Sequence, residues 1–386
     1  MERYPIRFQP ILKERVWGGS TLATRLGRKL PSGVKVGEAW EIVDRPDDTS
    51  RVVNGPLAGR TLDELCKEYG PELLGKNAPR IDKPLPPVDE KGGAPSGWEG
   101  RRADQLPPPV DEKGGAAAAR ERAPYGGRFP LILKLLDPQD KLSVQVHPTG
   151  DYVARHPEAE AVKNEMWYAL HAEPGAQIIH GLVEGATLEE LEKALAGGDP
   201  EPLFRFVPVE QGAFYYMPSG LIHALLPGSL MVEIQQNSDT TFRLYDWKRP
   251  GLDGKPREVH VAEALETAAS FLADPALAAH EVLAPARLAD GVERVAGLHC
   301  PFFHVEELRI APGEARVPLD PESFTIVVAV RGALTVACAG SAAISTELGV
   351  GDSALIPAGV GALAVTTSGG GSVLTTILPR RSGTRG

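Results

Sequence analysis

Between residues 129 and 236 the chain is cut into short apolar runs separated by turns that carry glycine or proline, and this punctuation limits what it can fold into. The runs are Phe129–Leu136, Leu142–Val146, Met166–Leu170, Gln177–Ile179, Ala213–Met217 and Leu230–Gln235. Each has the length of a strand and is too short for a stable helix. Many short strands divided by Gly and Pro turns predict a mainly β chain folded as a sandwich or barrel. Lys141 to Pro148 alternates polar and apolar residues, so Ser143, Gln145 and His147 project from one face of a strand.

Helices are fewer. Thr61-Leu-Asp-Glu64 is a capping box and predicts a helix that stops at Gly70. Thr187-Leu-Glu-Glu190 repeats the device, with Leu188, Leu191 and Leu195 at helical spacing and Gly197-Gly198 as the stop. His260–Leu272 reads as a third helix. Pro285–Val295 reads as a linker, which divides the chain into 1–284 and 285–386. Within the first part, about 81–127 is rich in Pro, Gly, Ala and charge and repeats the words Pro86-Pro-Val-Asp-Glu-Lys-Gly-Gly-Ala94 and Pro108-Pro-Val-Asp-Glu-Lys-Gly-Gly-Ala116. One short duplication is no solenoid, and the segment is expected to be a flexible surface insertion.

Two longer stretches share a pattern. Gly212-Ala-Phe-Tyr-Tyr-Met-Pro218-Ser-Gly220-Leu-Ile-His223 and Gly351-Asp-Ser-Ala-Leu-Ile-Pro357-Ala-Gly359-Val-Gly-Ala362 both read as glycine, an apolar strand, then Pro-x-Gly. The first ends in histidine and the second in alanine. Two related β modules are expected, with a metal only in the first.

At 386 residues the chain can bury a sizeable core, and its net charge of −10 argues against a broad nucleic-acid footprint. A small anionic ligand needs only a few placed cations and is still allowed. Cys66, Cys300 and Cys338 are widely spaced with no CxxC, as expected of buried free thiols in a reducing compartment. The first residues lack the apolar core of a signal peptide, and no apolar run is long enough to span a bilayer, so the expected location is cytoplasmic, without membrane association. A monomer or weak homo-oligomer is expected.

Metal-competent side chains recur downstream of Gln145 and His147, at Glu165 and His223. Two imidazoles, one carboxylate and one amide oxygen make a divalent-metal ligand set. Lys134 interrupts an apolar run, which is costly unless its ammonium is paired or reaches a cavity. Trp17, Trp40 and Trp167 read as packing residues. The two-histidine, one-carboxylate subset would also suit a non-haem iron oxygenase, but Gln145 stands where such an enzyme leaves a position open for oxygen.

The spacing Gly-x5-Pro-x-Gly-x2-His at Gly212 to His223 resembles the second motif of the cupin superfamily, although the asparagine usual four residues later is Pro227 here. Gln145-x-His147 followed by Glu165 replaces the usual His-x-His and Glu. An ordered set of words carries a closer resemblance: Trp17-Gly-Gly19, Gly37-Glu-Ala-Trp-Glu41, Phe129-Pro-Leu-Ile-Leu-Lys134-Leu-Leu-Asp137, Ser143-Val-Gln-Val-His-Pro148, Asn164-Glu-Met-Trp-Tyr168, Pro218-Ser-Gly-Leu-Ile-His-Ala224 and Glu233 to Asp246. Together they resemble the type I mannose-6-phosphate isomerases over most of the chain outside the insertion.

The resemblance implies two cupin-like barrels of the jelly-roll or double-stranded β-helix type, and one Zn2+ per chain held by Gln145, His147, Glu165 and His223. It implies interconversion of mannose 6-phosphate and fructose 6-phosphate through an enediol(ate). Lys134, Lys163 and Arg243 would line the active site. Arg243 is assigned the catalytic role and Lys134, Ser143 and Lys163 the binding of the sugar phosphate. Ser143 would bind phosphate or orient Gln145. The base is left open between zinc-bound hydroxide, a lysine of depressed pKa and a carboxylate such as Glu233; a guanidinium stays protonated and is a poor base. Two alternatives stand beside this reading: a non-catalytic sugar-phosphate-binding cupin, and an isomerase of another sugar phosphate.

Overall fold

The computed structural model describes residues 1–78, 128–156, 159, 161–340 and 344–380; the expected insertion at 81–127 lies outside them. Two pairs of sheets dominate. In the first pair, a six-stranded antiparallel sheet runs in the order Phe214–Met217, Glu165–Ala172, Ser229–Gln236, Leu131–Leu136, Val36–Ile42, Ile11–Gly19. Its partner is five-stranded, in the order Phe242–Tyr245, Val144–Val146, His223–Leu225, Gln177–Leu182, Phe204–Pro208. Leu136, Trp167 and Met231 from the larger sheet meet Ile178 and Leu225 from the smaller in one buried cluster.

The second pair joins a seven-stranded sheet to a four-stranded one. Leu308, Val327 and Val373 of the larger pack on Val317, Val336 and Val365 of the smaller. The two large sheets then stack back to back. Leu133, Leu135, Val232 and Ile234 share a third cluster with Val305, Ile326, Val328 and Leu374. This explains the unbroken apolar run around Leu131–Leu136. A strand at the middle of a sheet covered on both faces loses the alternation of a half-exposed strand. Its odd residues face the other module and its even residues, Lys134 among them, face into their own. Each fully buried Leu or Ile there contributes roughly 1.5–3 kcal/mol.

The two glycine–proline patterns adopt one conformation. Gly212 and Gly220 have φ of +85° and +87°; Gly351 and Gly359 have φ of +83° and +80°. In each copy the first strand, Phe214–Met217 or Ser353–Ile356, is the edge of a large sheet. The turn then hands the chain to the smaller sheet, at His223–Leu225 or Ala362–Thr367. A side chain at Gly220 would meet Phe271 Cβ at 2.4 Å, so both left-handed backbone and close packing demand glycine there. The turn is what delivers His223 to the site; Ala362 takes the same place in the second module.

The capping boxes at Thr61 and Thr187 form as expected, heading the helices Leu62–Leu74 and Leu188–Gly197, and Val261–Ala273 is the third expected helix. The first helix does not end at Gly70. Gly70 is a kink with φ 9° and ψ −91°, and Pro71 begins another turn to Leu74. Short helices at Thr21–Leu26 and Gly150–Arg155 add to these. The expected linker at Pro285–Val295 is instead a hairpin: Ala286–Ala289 pairs with Val292–His299 across Asp290-Gly291, with Gly291 at φ +68°. Asp-Gly is a strong hairpin signal, and it outweighs the polar composition that suggested a linker. Glu281–Leu283, before the expected boundary at 284/285, already pairs with the same strand of the seven-stranded sheet. Cys66, Cys300 and Cys338 are buried free thiols.

Candidate metal centre

His147, Glu165 and His223 converge. All three are buried and their ligand atoms lie within 4.8 Å of one another. The topology accounts for it. His147 follows the strand Val144–Val146, His223 opens the strand paired antiparallel to it, and Glu165 opens a strand of the facing sheet. Ends and starts of antiparallel strands lie at the same edge, so three residues distant in sequence share one end of the module.

The imidazole tautomers are set by backbone carbonyls. His147 Nδ1–H donates to the Thr240 carbonyl at 3.1 Å and His223 Nδ1–H to the Leu221 carbonyl at 2.9 Å. Both Nε2 atoms therefore point inward, 3.2 Å from Glu165 Oε2 and Oε1 respectively. Burial, helped by the Lys163 charge, lowers the pKa of His147 to about 3, which keeps the ring neutral. Burial disfavours the Glu165 charge, yet the Lys163 ammonium beside it outweighs burial and holds its pKa well below the usual carboxylate range. An ionised carboxylate thus faces the Nε2 atoms of neutral His147 and of His223, and neither carboxylate oxygen has a hydrogen-bond partner among the described residues. Acceptor against acceptor in a dry interior is repulsive unless a cation lies between them.

Lys163 meets part of that demand. Its buried ammonium forms an ion pair 2.9 Å from Glu165 Oε2 and approaches His147 Nε2 at 3.2 Å. Among the described residues no lysine or arginine pairs with the Oε1 side, which faces His223. Two imidazoles oriented by carbonyls plus one carboxylate form the ligand set of an open metal site, and the donors present fit a divalent ion. Gln145 lies beside the set. It is the cross-strand partner of His223, with its amide nitrogen 3.3 Å from His223 Nε2. Turning the amide over would present Oε1 instead.

The remaining sequence candidates are dispersed around this centre. Arg243 stands directly opposite Gln145 on the neighbouring strand. Its Nη1 donates to the Glu258 carbonyl at 2.7 Å, its Nε is buried without a partner, and burial followed by Arg257 lowers its pKa. Ser143 is buried just before the strand Val144–Val146, two residues from Gln145.

Lys134 does not sit on an edge strand; it lies in the interior of the six-stranded sheet and its ammonium is fully engaged. It pairs with Glu233 Oε2 at 3.0 Å and donates to Gln235 Oε1 at 2.6 Å, beneath the Trp40 ring. Burial opposes this charge, but Glu233 and Glu38 outweigh it and raise the pKa. This pairing works against a depressed pKa for Lys134. Glu38 in turn accepts two bonds from Arg15 and one from Trp40 Nε1. Trp167 donates to Glu233 Oε1 at 2.9 Å and sets its ring edge against His223, 5.6 Å between centroids. All three expected packing tryptophans are buried.

Sequence reasoning missed the Arg15–Glu38 pair and the two orienting carbonyls. The first had a signal, since Glu38 and Trp40 alternate on a strand and so share a face. The carbonyls had none, because a backbone oxygen carries no sequence identity.

No family model matches the chain. It is 32% identical over 333 residues to the mannose-6-phosphate isomerase of Streptococcus mutans, covering 86% of this chain and 87% of that protein. It is 35% identical over 263 residues to the probable mannose-6-phosphate isomerase GmuF of Bacillus subtilis, with 68% of each chain covered. The crystal structure of the mannose 6-phosphate isomerase from Bacillus subtilis superposes with a TM-score of 0.73 at 29% identity, covering 98% of this chain and 100% of that one. Similar in sequence to these enzymes along most of its length and similar in fold throughout, the chain belongs to the type I mannose-6-phosphate isomerase family of the cupin superfamily.

Proposed function

We propose that this protein interconverts mannose 6-phosphate and fructose 6-phosphate and that it does so with one Zn2+ held by His147, Glu165, His223 and the amide oxygen of Gln145. The observation that carries the reading is the convergence of the Glu165 carboxylate and two imidazole Nε2 atoms in a buried site, with both rings locked by carbonyls. Bound zinc would supply Lewis acidity toward the sugar oxygens.

The chain's own residues supply the rest. Isomerisation moves one proton between C1 and C2 through an enediol(ate), so negative charge grows on O1 and O2. Arg243, across from Gln145 and with a free Nε, places permanent positive charge at the edge of the centre. Preorganised charge of this kind contributes on the order of 3 kcal/mol. Lys163 shares Glu165 with the metal site, so its ammonium is placed to turn toward a substrate oxygen. Lys134, held by Glu233 and Gln235, gives a fixed positive field and orients Glu233. Burial raises the pKa of Glu233, which makes it a better proton acceptor than an exposed carboxylate. Ser143 and Lys163 are assigned to the sugar phosphate, with Lys134, expected to bind it too, contributing through its field alone. Among the described residues no helix is long and apolar enough to cross a membrane.

Metal analysis of the purified protein, paired with turnover of mannose 6-phosphate before and after chelation, tests the proposal. About one zinc per chain and activity that disappears with chelation and returns with zinc are expected. Full activity after complete metal removal would refute it.

A further inference from the structure

The second module carries a row of side chains that the isomerase reading does not use. The register of the seven-stranded sheet sets Arg287 opposite Glu293, Glu293 opposite Arg309, Arg309 opposite Ser372 and Ser372 opposite Arg331. Cross-strand partners share a face, so five consecutive strands present three guanidinium groups, one carboxylate and one hydroxyl along one line. The three arginines and Glu293 line a cavity of about 420 Å³ at the end of this sheet, floored by the turn Gly369-Gly370-Gly371.

The charges in this row are poorly balanced. Arg287 pairs with Asp290 at the rim. Arg309 approaches Glu293 at only 3.7 Å, beyond hydrogen-bond length. Arg331 makes no hydrogen bond or ion pair among the described residues. Between Arg309 and Arg331 stands Ser372, 1% exposed, whose Oγ has no hydrogen-bond partner. The cavity thus sets three guanidinium groups against Glu293 and the Asp290 partner of Arg287, an excess of one cation, carried by Arg331.

We propose that this cavity is a second anion site, remote from the metal centre, that takes the phosphate group of a small phosphorylated molecule or inorganic phosphate itself. Guanidinium groups two strands apart have roots about 10 Å apart, close enough for two forks to converge on one phosphate. A carboxylate offers fewer acceptor oxygens and one charge, and matches this set less well. The volume accommodates a monosaccharide phosphate, whereas a bare phosphate would leave most of it to water.

A neighbour of the site, outside its lining, touches the first module. Glu307 lies two residues from Arg309 on the same face and accepts a hydrogen bond from Tyr168 at 3.1 Å. Tyr168 belongs to the strand that Glu165 opens.

Calorimetric titration of the full chain, in low-salt buffer, decides the matter. Inorganic phosphate and glycerol 3-phosphate are the two probes. Each is run on the natural protein, on Arg309→Ala/Arg331→Ala and on Arg243→Ala. The arginines are exposed, so the double variant is expected to fold, and its thermal midpoint checks this. Arg331→Glu is the second variant if it does not. The expected result is a binding event in the natural protein and in Arg243→Ala that weakens at least about tenfold when the two arginines are removed. Stronger binding of glycerol 3-phosphate than of phosphate would assign the site to phosphomonoesters; the reverse would assign it to the free ion. Either probe binding equally well to the natural protein and to the arginine variants, or no binding that survives Arg243→Ala, overturns the proposal. Neither readout uses turnover, so this site and the isomerase reading fail separately.

Discussion

Glu41 offers a quantitative test of how the modules are joined. It is buried, 3% exposed, on the strand Val36–Ile42. Its nearest cation is Arg28, with Nη2 3.0 Å from Oε1, but the contact is not an aligned hydrogen bond and the oxygen counts as unsatisfied. Arg28 is shared with Asp352 of the second module at 3.4 Å, and also donates to the Gly351 carbonyl at 2.9 Å. One guanidinium between two carboxylates cannot fully compensate both. Burial is the largest influence on Glu41, and with the Asp352 charge it outweighs Arg28 and raises the pKa from 4.5 to about 7.

A carboxyl whose folded pKa exceeds its unfolded one binds its proton more tightly in the folded state. The resulting stabilisation is fully present below the unfolded pKa and is lost as pH rises from there through the folded pKa. The difference of about two and a half units corresponds to about 3 kcal/mol lost between roughly pH 4.5 and 8. Glu41→Gln keeps the shape and stays neutral, so it removes this dependence. Denaturant unfolding of both proteins at several values across that window gives the test, since subtracting the variant cancels the histidines and other carboxylates. The variant is expected to be about equal to the natural protein near pH 4.5 and more stable by about 3 kcal/mol near pH 8. Parallel curves for the two proteins would show that Glu41 ionises normally, and that the ionic junction around Arg28 is better compensated than its geometry indicates.

Other expectations are sharper in direction than in size. His223→Ala should lose both metal and activity, whereas Arg243→Ala should keep metal and lose about a hundredfold or more in kcat; a zinc-replete, active Arg243→Ala would remove that residue from the chemistry. Lys134→Met should destabilise by roughly 3–5 kcal/mol because it strands the buried Glu233, and Lys134→Met/Glu233→Leu should recover most of that loss in unfolding measurements. A double variant as unstable as the single would mean that the apolar pair does not fill the space. Gly220→Ala should cost at least about 1 kcal/mol through strain at positive φ and the contact with Phe271, with metal affinity falling too because the turn aims His223. Unchanged metal affinity would show that His223 is held by its own strand alone.

Much was legible in the sequence because it is local. Strand-length runs, capping boxes at Thr61 and Thr187, and the doubled glycine–proline pattern each act through neighbours a few residues away, and the structure carries all of them. The metal-competent residues were visible for a related reason: buried histidine and glutamate at strand ends are costly unless used. Local signals failed where polarity and pairing conflicted, as at Ala286–Ala289, where an Asp-Gly turn joined strands whose composition looked like a linker.

What the chain's sequence alone determined was therefore the alphabet of strands and turns and the identity of the ligand-type side chains. Tertiary structure decided which of them meet and in what electrical state. Lys134 became a paired, fixed charge because Glu233 and Gln235 arrive opposite it from another strand. His147 and His223 point their Nε2 atoms at Glu165 because two backbone carbonyls hold the other side of each ring. Apart from the local bond between His223 and the Leu221 carbonyl, these pairings join residues some 20 to 100 positions apart and depend on register and burial, and on the desolvation that burial brings; none of these is a property of the residues taken one at a time.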